Sequence, residues 1–242
     1  MHRRSLLIAV WLLVLSTNGV AWGASDPLLQ RAFDQLLGNP KELRVNAIPY
    51  PLRQGEYARV YLYARGARIG GLLVDELWIR LESLTVDLPA LNNGTLRAKD
   101  YLDSAIYARI SIRSLEEFFL AANSFKDIRL WVEGGSIHGT GTVLFQGVPT
   151  KIRLSGFFAA NGEPEVWFYV ESLHLNLLPV PSLVFYQLER QINPILNLRS
   201  WPIVFKIRSV KVTREHIIIA TQADLSRPCL ICGGGETPAF SP

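Results

Sequence analysis

Three long stretches of this chain alternate apolar and polar residues with period two, and each slips phase by one residue partway along. In Val74–Leu88 the apolar set is Leu77, Ile79 and Leu81, then Leu84, Val86 and Leu88, a change at Ser83. In Val166–Leu177 it is Val166, Phe168 and Val170, then Leu173, Leu175 and Leu177, a change near Ser172. In Ile203–Val212 it is Ile203, Phe205 and Ile207, then Val210 and Val212, a change near Ser209. Period-two alternation marks a strand with one buried face, because successive side chains point to opposite sides. A one-residue slip moves the apolar set across the strand, as a β-bulge or a strong twist does. Alternatively the strand stays regular and its neighbours change sides. Either way these strands, at about 10–15 residues against a usual ~5–6, serve two packing environments.

Most of the remaining chain alternates too. Leu102, Ile106, Ala108, Ile110 and Ile112 oppose Asp103, Tyr107, Arg109, Ser111 and Arg113. Ile128, Leu130 and Val132 alternate with Arg129, Trp131 and Glu133, and Ile152 and Leu154 with Lys151, Arg153 and Ser155. Short turn signals at Gly147-Val148-Pro149, Asn161-Gly162-Glu163-Pro164 and Thr213-Arg214-Glu215 join such runs as antiparallel hairpins.

Three helices interrupt the pattern. Asp26-Pro27 opens the first, with Leu29, Ala32, Phe33, Leu36 and Leu37 on one face and Gly38 and Pro40 as the stop. The second opens at Ser114, with Glu117 completing a capping box and Leu115, Phe118, Phe119 and Ala122 forming its apolar face. The third begins near Pro181-Ser182 and carries Val184, Leu188, Ile192 and Ile195, with Asn193-Pro194 bending or ending it. The expected class is α+β: a long, strongly twisted antiparallel sheet, a half-open barrel, wrapped around a few helices.

The N-terminus predicts the compartment. A basic head at residues 1–5 precedes an apolar run, Leu6–Ser16, of 11 residues, and Ala21-Trp22-Gly23 supplies a small-x-small end. This is the order of a secretory signal, predicted over residues 1–23 with cleavage after Gly23 or Ala24. A spanning helix needs about 20 apolar residues, more than this run offers. The expectation is an exported chain of the periplasm or cell envelope, with one domain over 24–222 and a tail over 223–242. The tail holds the only two cysteines, Cys229 and Cys232. In an oxidising compartment they form a local disulfide or remain thiols. Pro228 before them and three glycines after leave no helix start to activate a redox pair.

Composition and motifs narrow the chemistry. Of 242 residues 49% are hydrophobic and 19% charged, which excludes a disordered or fibrous chain. The formal charge is +4, two units of it from Arg3 and Arg4, and no basic block marks a nucleic-acid partner. His138, His174 and His216 show no spacing for a metal. Gly134-Gly135-Ser136-Ile137-His138 lacks the last glycine of a nucleophile elbow and lies between strands. Gly139-Thr140-Gly141 is followed by a strand, not by the helix a phosphate loop needs. Asp100 with Asp103 fits a strand entry, and Glu116 with Glu117 a helix start. No metal, cofactor or catalytic residue is expected.

The stretch NLLPVPSLVFYQLERQINPILNLRSWPIVFKIRSVKVTREHIIIA resembles the LmeA-like family of exported bacterial phospholipid-binding domains. It shares a strand ending in Leu-Pro, a helix closing on Asn193-Pro194-Ile195-Leu196-Asn197-Leu198, then Trp201-Pro202 and a last hairpin. The order of a twisted strand after Gly70-Gly71, the Ala105–Ile112 strand and the Ser114 helix is also similar, so the likeness runs from Leu43 to Ala220. It implies a tubular lipid-binding type of fold, with a curved sheet and helices around an apolar groove. The family has no fixed ligand motif to carry over, and the Cys tail departs from its pattern.

The residues add their own argument. Trp78, Trp131, Trp167 and Tyr169 lie opposite the main apolar face of their strands, and three short helices are few to cover strands this long. A phospholipid or similar amphiphile in an elongated groove, a membrane surface, or a protein partner would each use such surface. Groove candidates are Leu115, Phe118, Phe119, Val184, Leu188, Ile192, Trp78, Trp131 and Trp167. Arg65, Arg68, Arg97 and Lys99 are candidates for an anionic headgroup. The alternative is an envelope structural or protein-interaction module without a lipid.

Overall fold

The computed structural model describes residues 25–121, 125–145, 148–161, 164–176, 178–224 and 227. Residues 1–24, where a signal is expected, and the tail with Cys229 and Cys232 lie outside the described residues. The alternating stretches form two antiparallel sheets. The first contains β1 (Glu42–Pro49), β2 (Glu56–Ile69), β3 (Leu72–Val86), β4 (Ala98–Asp100), β5 (Asp103–Ser111), β12 (Ser209–Val212) and β13 (His216–Ala220). Its order is β1-β2-β3-β5-β13-β12, with β4 also on β3. The second contains β6 (Phe125–Glu133), β7 (Ser136–Phe145), β8 (Val148–Ala160), β9 (Glu165–Leu175), β10 (Leu178–Pro179) and β11 (Leu196–Asn197). Its order is β10-β9-β8-β7-β6, with β11 also on β9. The α+β class holds; the strands divide between two sheets, and neither closes into a barrel.

The phase slips have two physical origins. At Ser83 the backbone turns to φ +52, and facing Ala58 likewise drops out of the ladder, so β2 and β3 change faces together. The same pair breaks again where Gly66, at φ +69, faces Asp75, a slip masked in the sequence by the charged pair Asp75-Glu76. In β9 the slip is a bulge: Ser155 pairs with Ser172 but Gly156 pairs with Val170, leaving Glu171 as the extra residue. The third expected long strand is corrected. Only Ser209–Val212 joins a ladder. Ile203, Phe205 and Ile207 are buried from an extended segment held by side chains, with Ser104 Oγ donating to the Val204 carbonyl at 2.7 Å. Leu102 is also corrected: it is 77% exposed, just outside β5.

Four helices are present among the described residues. In α1 (Pro27–Leu36) Asp26 caps the N-terminus, accepting from the Leu28 and Leu29 amides. Tyr57 Oη also donates to Asp26 at 2.7 Å, and burial beside that carboxylate pushes the phenol well above its ordinary range. α2 (Leu88–Asn92), capped by Asp87, has no counterpart in the sequence reading, where Leu88 closed a strand. α3 spans Ile112–Ala121, so it starts two residues before Ser114. Ser111 Oγ accepts from the Ser114 amide, and Asp75 of β3 accepts from the Ser111 amide and the Ser114 hydroxyl. The expected capping box is therefore wrong: Ser111 is the cap, and Glu117 pairs with Arg113 at 3.1 Å. α4 (Ser182–Ile192) ends before Asn193, so Ile195 is buried beyond the helix.

One core joins the sheets, running from Leu29 and Phe33 on α1 through Leu115 and Phe119 on α3 to Phe158, Phe168 and Ile192. Phe119 contacts Phe118 and Phe125 edge-on at 5.7 and 5.6 Å, which ties α3 to β6. Two glutamates complete the second sheet. Glu116 of α3 accepts from the Leu130 amide of β6 at 2.7 Å, and Glu189 of α4 from the Val170 amide of β9 at 2.6 Å. Asn193 extends the latter pattern, accepting from the Phe168 amide and donating to its carbonyl.

Candidate functional site

Register decides which side chains of the second sheet meet on its outer face. β6, β7 and β8 pair so that Arg129, Thr140 and Arg153 form one row, extended by His174 on β9. Asp127, Thr142 and Lys151 form the next, extended by Asn176, whose side chain accepts from the Lys151 amide at 3.2 Å. Between the rows lie Ile128, Gly141 and Ile152, facing inward. The rows stand two residues, about 7 Å, apart along each strand, and the β6 strand bends between them and the sheet's end. Lys126 is bulged out of the β6 ladder, and Gly141 lies so close to β6 that a Cβ there would collide with the Asp127 carbonyl. The result is a hollow of about 720 Å³ lined by both rows.

Its charge is lopsided. Arg129, Lys151 and Arg153 are all exposed and make no ion pair among the described residues, while Asp127 is the one carboxylate lining the hollow. Farther along the same face come the aromatics. Trp131 is 39% exposed and stacked on His138 at 5.8 Å; Phe157 is 42% exposed and stacked on Tyr169 at 5.5 Å, with Trp167 beyond at 6.3 Å from Tyr169.

The outer face of the first sheet is arranged differently. Glu42, Arg65, Glu76 and Arg109 occupy one row across four strands, alternating in sign. Arg65 and Arg44 both pair with Glu42, at 3.9 and 2.6 Å, and Arg109 with Glu76 at 2.7 Å. Arg80 pairs with Asp103 at 3.0 Å. Trp78 lies here, 4.5 Å from Tyr63, with the Arg227 guanidinium 5.5 Å from its ring. Burial first, and the Glu76 charge second, raise the Tyr63 phenol above its ordinary value.

The residues singled out from sequence therefore occupy several places. Leu115, Phe119 and Ile192 belong to the packed core, and Phe118 and Leu188 are half-buried at its margin. Val184 falls in α4, but its side chain lies outside the described residues. Trp131 and Trp167 are on the outer face of the second sheet and Trp78 on that of the first, so the three tryptophans line no common groove. Arg65 and Arg68 face the start of β3, while Arg97 and Lys99 lie by its end, about 30–40 Å away along the strand. They form no single mouth, and Lys99 pairs with Asp87 at 3.8 Å. Missed in the sequence were Arg129, Lys151 and Arg153. Their signal was the tight Gly134-Gly135 turn, which fixes the β6–β7 register. His138, His174 and His216 stand apart from one another, and no three His, Cys, Asp or Glu among the described residues are grouped to hold a metal.

Two curled antiparallel sheets around one apolar core, with an anion-seeking hollow outside, define an α+β protein suited to an amphiphilic ligand. A family model described as LmeA-like phospholipid-binding matches residues 18–222, and the chain belongs to that family. No curated protein and no solved structure matches the chain.

Proposed function

We propose that this is an exported protein of the periplasm or cell envelope that binds a phospholipid without catalysing a reaction, in the service of lipid transfer or envelope maintenance. The family match over residues 18–222 carries the reading. The geometry supports it in two ways. Half-buried Phe118 on α3, at the β6 margin of the second sheet, and half-buried Phe185 and Leu188 on α4, at its β9 margin, each carry the core to the surface and offer apolar area to acyl chains. Burial of an acyl chain stabilises a complex by ~0.8 kcal/mol per CH₂, so such surface needs no polar chemistry to bind. The hollow on the second sheet supplies positive charge for a phosphate.

Lipid extraction and mass spectrometry of the purified protein test this. The expected result is a phospholipid that co-purifies in stoichiometric amount. A protein free of lipid that retains a partner protein in pull-down would replace the reading with that of an interaction module.

A further inference from the structure

We propose that the outer face of the second sheet is the surface by which this protein docks on an anionic phospholipid bilayer. The inference rests on the phospholipid-binding reading and adds to it a face, a lipid charge and a set of residues.

Charge complementarity is the first argument. Arg129, Lys151 and Arg153 converge on one hollow with no ion-pair partner among the described residues, whereas four arginines of the outer rows of the first sheet, Arg44, Arg65, Arg80 and Arg109, are each ion-paired, and its exposed Arg68 and Lys211 stand on different strands, with no second cation gathered beside them. Arginine and lysine near a membrane surface are drawn to anionic lipid, while paired ones have spent their charge locally. Thr140 and Thr142 add hydroxyls to the same hollow, and guanidinium groups suit phosphate oxygens geometrically.

The aromatic side chains are the second argument. Trp131 follows Arg129 by two residues on β6, so it points to the same side about 7 Å farther along. Trp131, Phe157, Tyr169 and Trp167 thus make a half-exposed band beside the cationic hollow. Tryptophan and tyrosine favour the headgroup level of a bilayer, where an apolar ring and a polar edge are both satisfied. The band also carries Glu133 and Glu171, the latter accepting from the Ser136 hydroxyl, so the positive end of the face is the hollow. A bilayer offers phosphate and an apolar layer side by side, as this face requires.

Flotation of the purified protein with vesicles tests the assignment. Vesicles of phosphatidylcholine alone are compared with vesicles that also contain phosphatidylglycerol. The double variant Lys151→Ser/Arg153→Ser should lose roughly fivefold in affinity per cation for the anionic vesicles, and adding Arg129→Ser should bring the loss to on the order of a hundredfold. Trp131→Ala with Phe157→Ala should weaken binding and leave its salt dependence unchanged. The control Arg44→Ser/Arg65→Ser removes as much charge from the first sheet and should float like the parent. Melting temperatures confirm that each variant is folded. An equal loss in the control, or none in the hollow variants, overturns the proposal. So does a hollow that cross-links to an acidic protein segment while vesicle binding is indifferent to it. A protein that carries extractable phospholipid but does not float loses only the dock. One that floats through these residues yet carries no phospholipid keeps the dock and loses the reading above.

Discussion

The two sheets share a core but have opposite outer faces. On the first, glutamate and arginine alternate across β1, β2, β3 and β5, and carboxylates answer the arginines at 2.6 to 3.9 Å. On the second, three cations border a hollow with a single aspartate, beside two stacked aromatic pairs. Both faces are rich in arginine, so composition alone cannot tell them apart. Cross-strand neighbours decide whether a charge is used within the fold or left for a ligand. The curl differs as well. In the first sheet the central β2–β3 pair breaks together and stays in register, and unmatched bulges fall only where β1 and β4 join it; in the second, the bulges on β6 and β9 lie in the long ladders themselves and bend them.

The comparison presupposes one folding unit, and Phe119 tests that first. It is 5% exposed, between α3 and β6, so Phe119→Ala should cost about 3–5 kcal/mol in chemical denaturation and leave phospholipid affinity unchanged. Two separate transitions would mean that the sheets are independent units; a small loss with weakened lipid binding would put Phe119 in a groove. Next is the curl. A methyl at Gly156 would meet the Tyr169 carbonyl and the Phe168 ring, so Gly156→Ala should lower stability by about 1–3 kcal/mol. A methyl at Gly70, in the β2–β3 turn, meets nothing, and only its φ of +59 opposes Gly70→Ala, at about 1 kcal/mol. Equal thermal shifts would show that the second sheet does not depend on its tight approach. The smallest effect concerns the charges. Glu76→Gln weakens the partly buried pair to Arg109 and should cost about 1 kcal/mol after solvent screening. Arg153→Ser should stay within about 0.5 kcal/mol of the parent in the same melts. A larger loss at Arg153 would mean that it too serves the fold.

Local features were legible in the sequence. The Asp26-Pro27 start of α1 and the breaks at Ser83 and Ser172 appear where spacing places them, since each depends on neighbours in the chain. The cap of α3 was misread because Ser111 and Ser114 lie on the same turn, and the carboxylate that decides between them, Asp75, comes from another strand. Ile203–Ile207 alternates like a strand because its side chains are buried on one side, yet its backbone finds no ladder. The hollow was illegible residue by residue. Arg129, Lys151 and Arg153 each look like an ordinary surface cation, and only the pairing of three strands gathers them. Phe119 and Leu115 were recognised as an apolar face, but whether that face meets ligand or core depends on Phe125, outside the helix.

The glutamates lent by α3 and α4 bear on what this protein can join. An open edge strand is a template for another chain, through strand addition or aggregation. Here Glu116 occupies the Leu130 amide on β6, while Glu189 and Asn193 occupy amides of Val170 and Phe168 on β9. Both margins of the second sheet are thus blunted, on β6 by a side chain of α3 and on β9, between short β10 and β11, by side chains of α4 and of Asn193 just after it, which mimic a neighbouring strand but cannot propagate one. Growth by β-augmentation is closed off at these positions, so recognition is directed to the broad faces. A protein with tryptophan and phenylalanine exposed on such a face thereby keeps these margins of its second sheet from becoming the seed of a fibre.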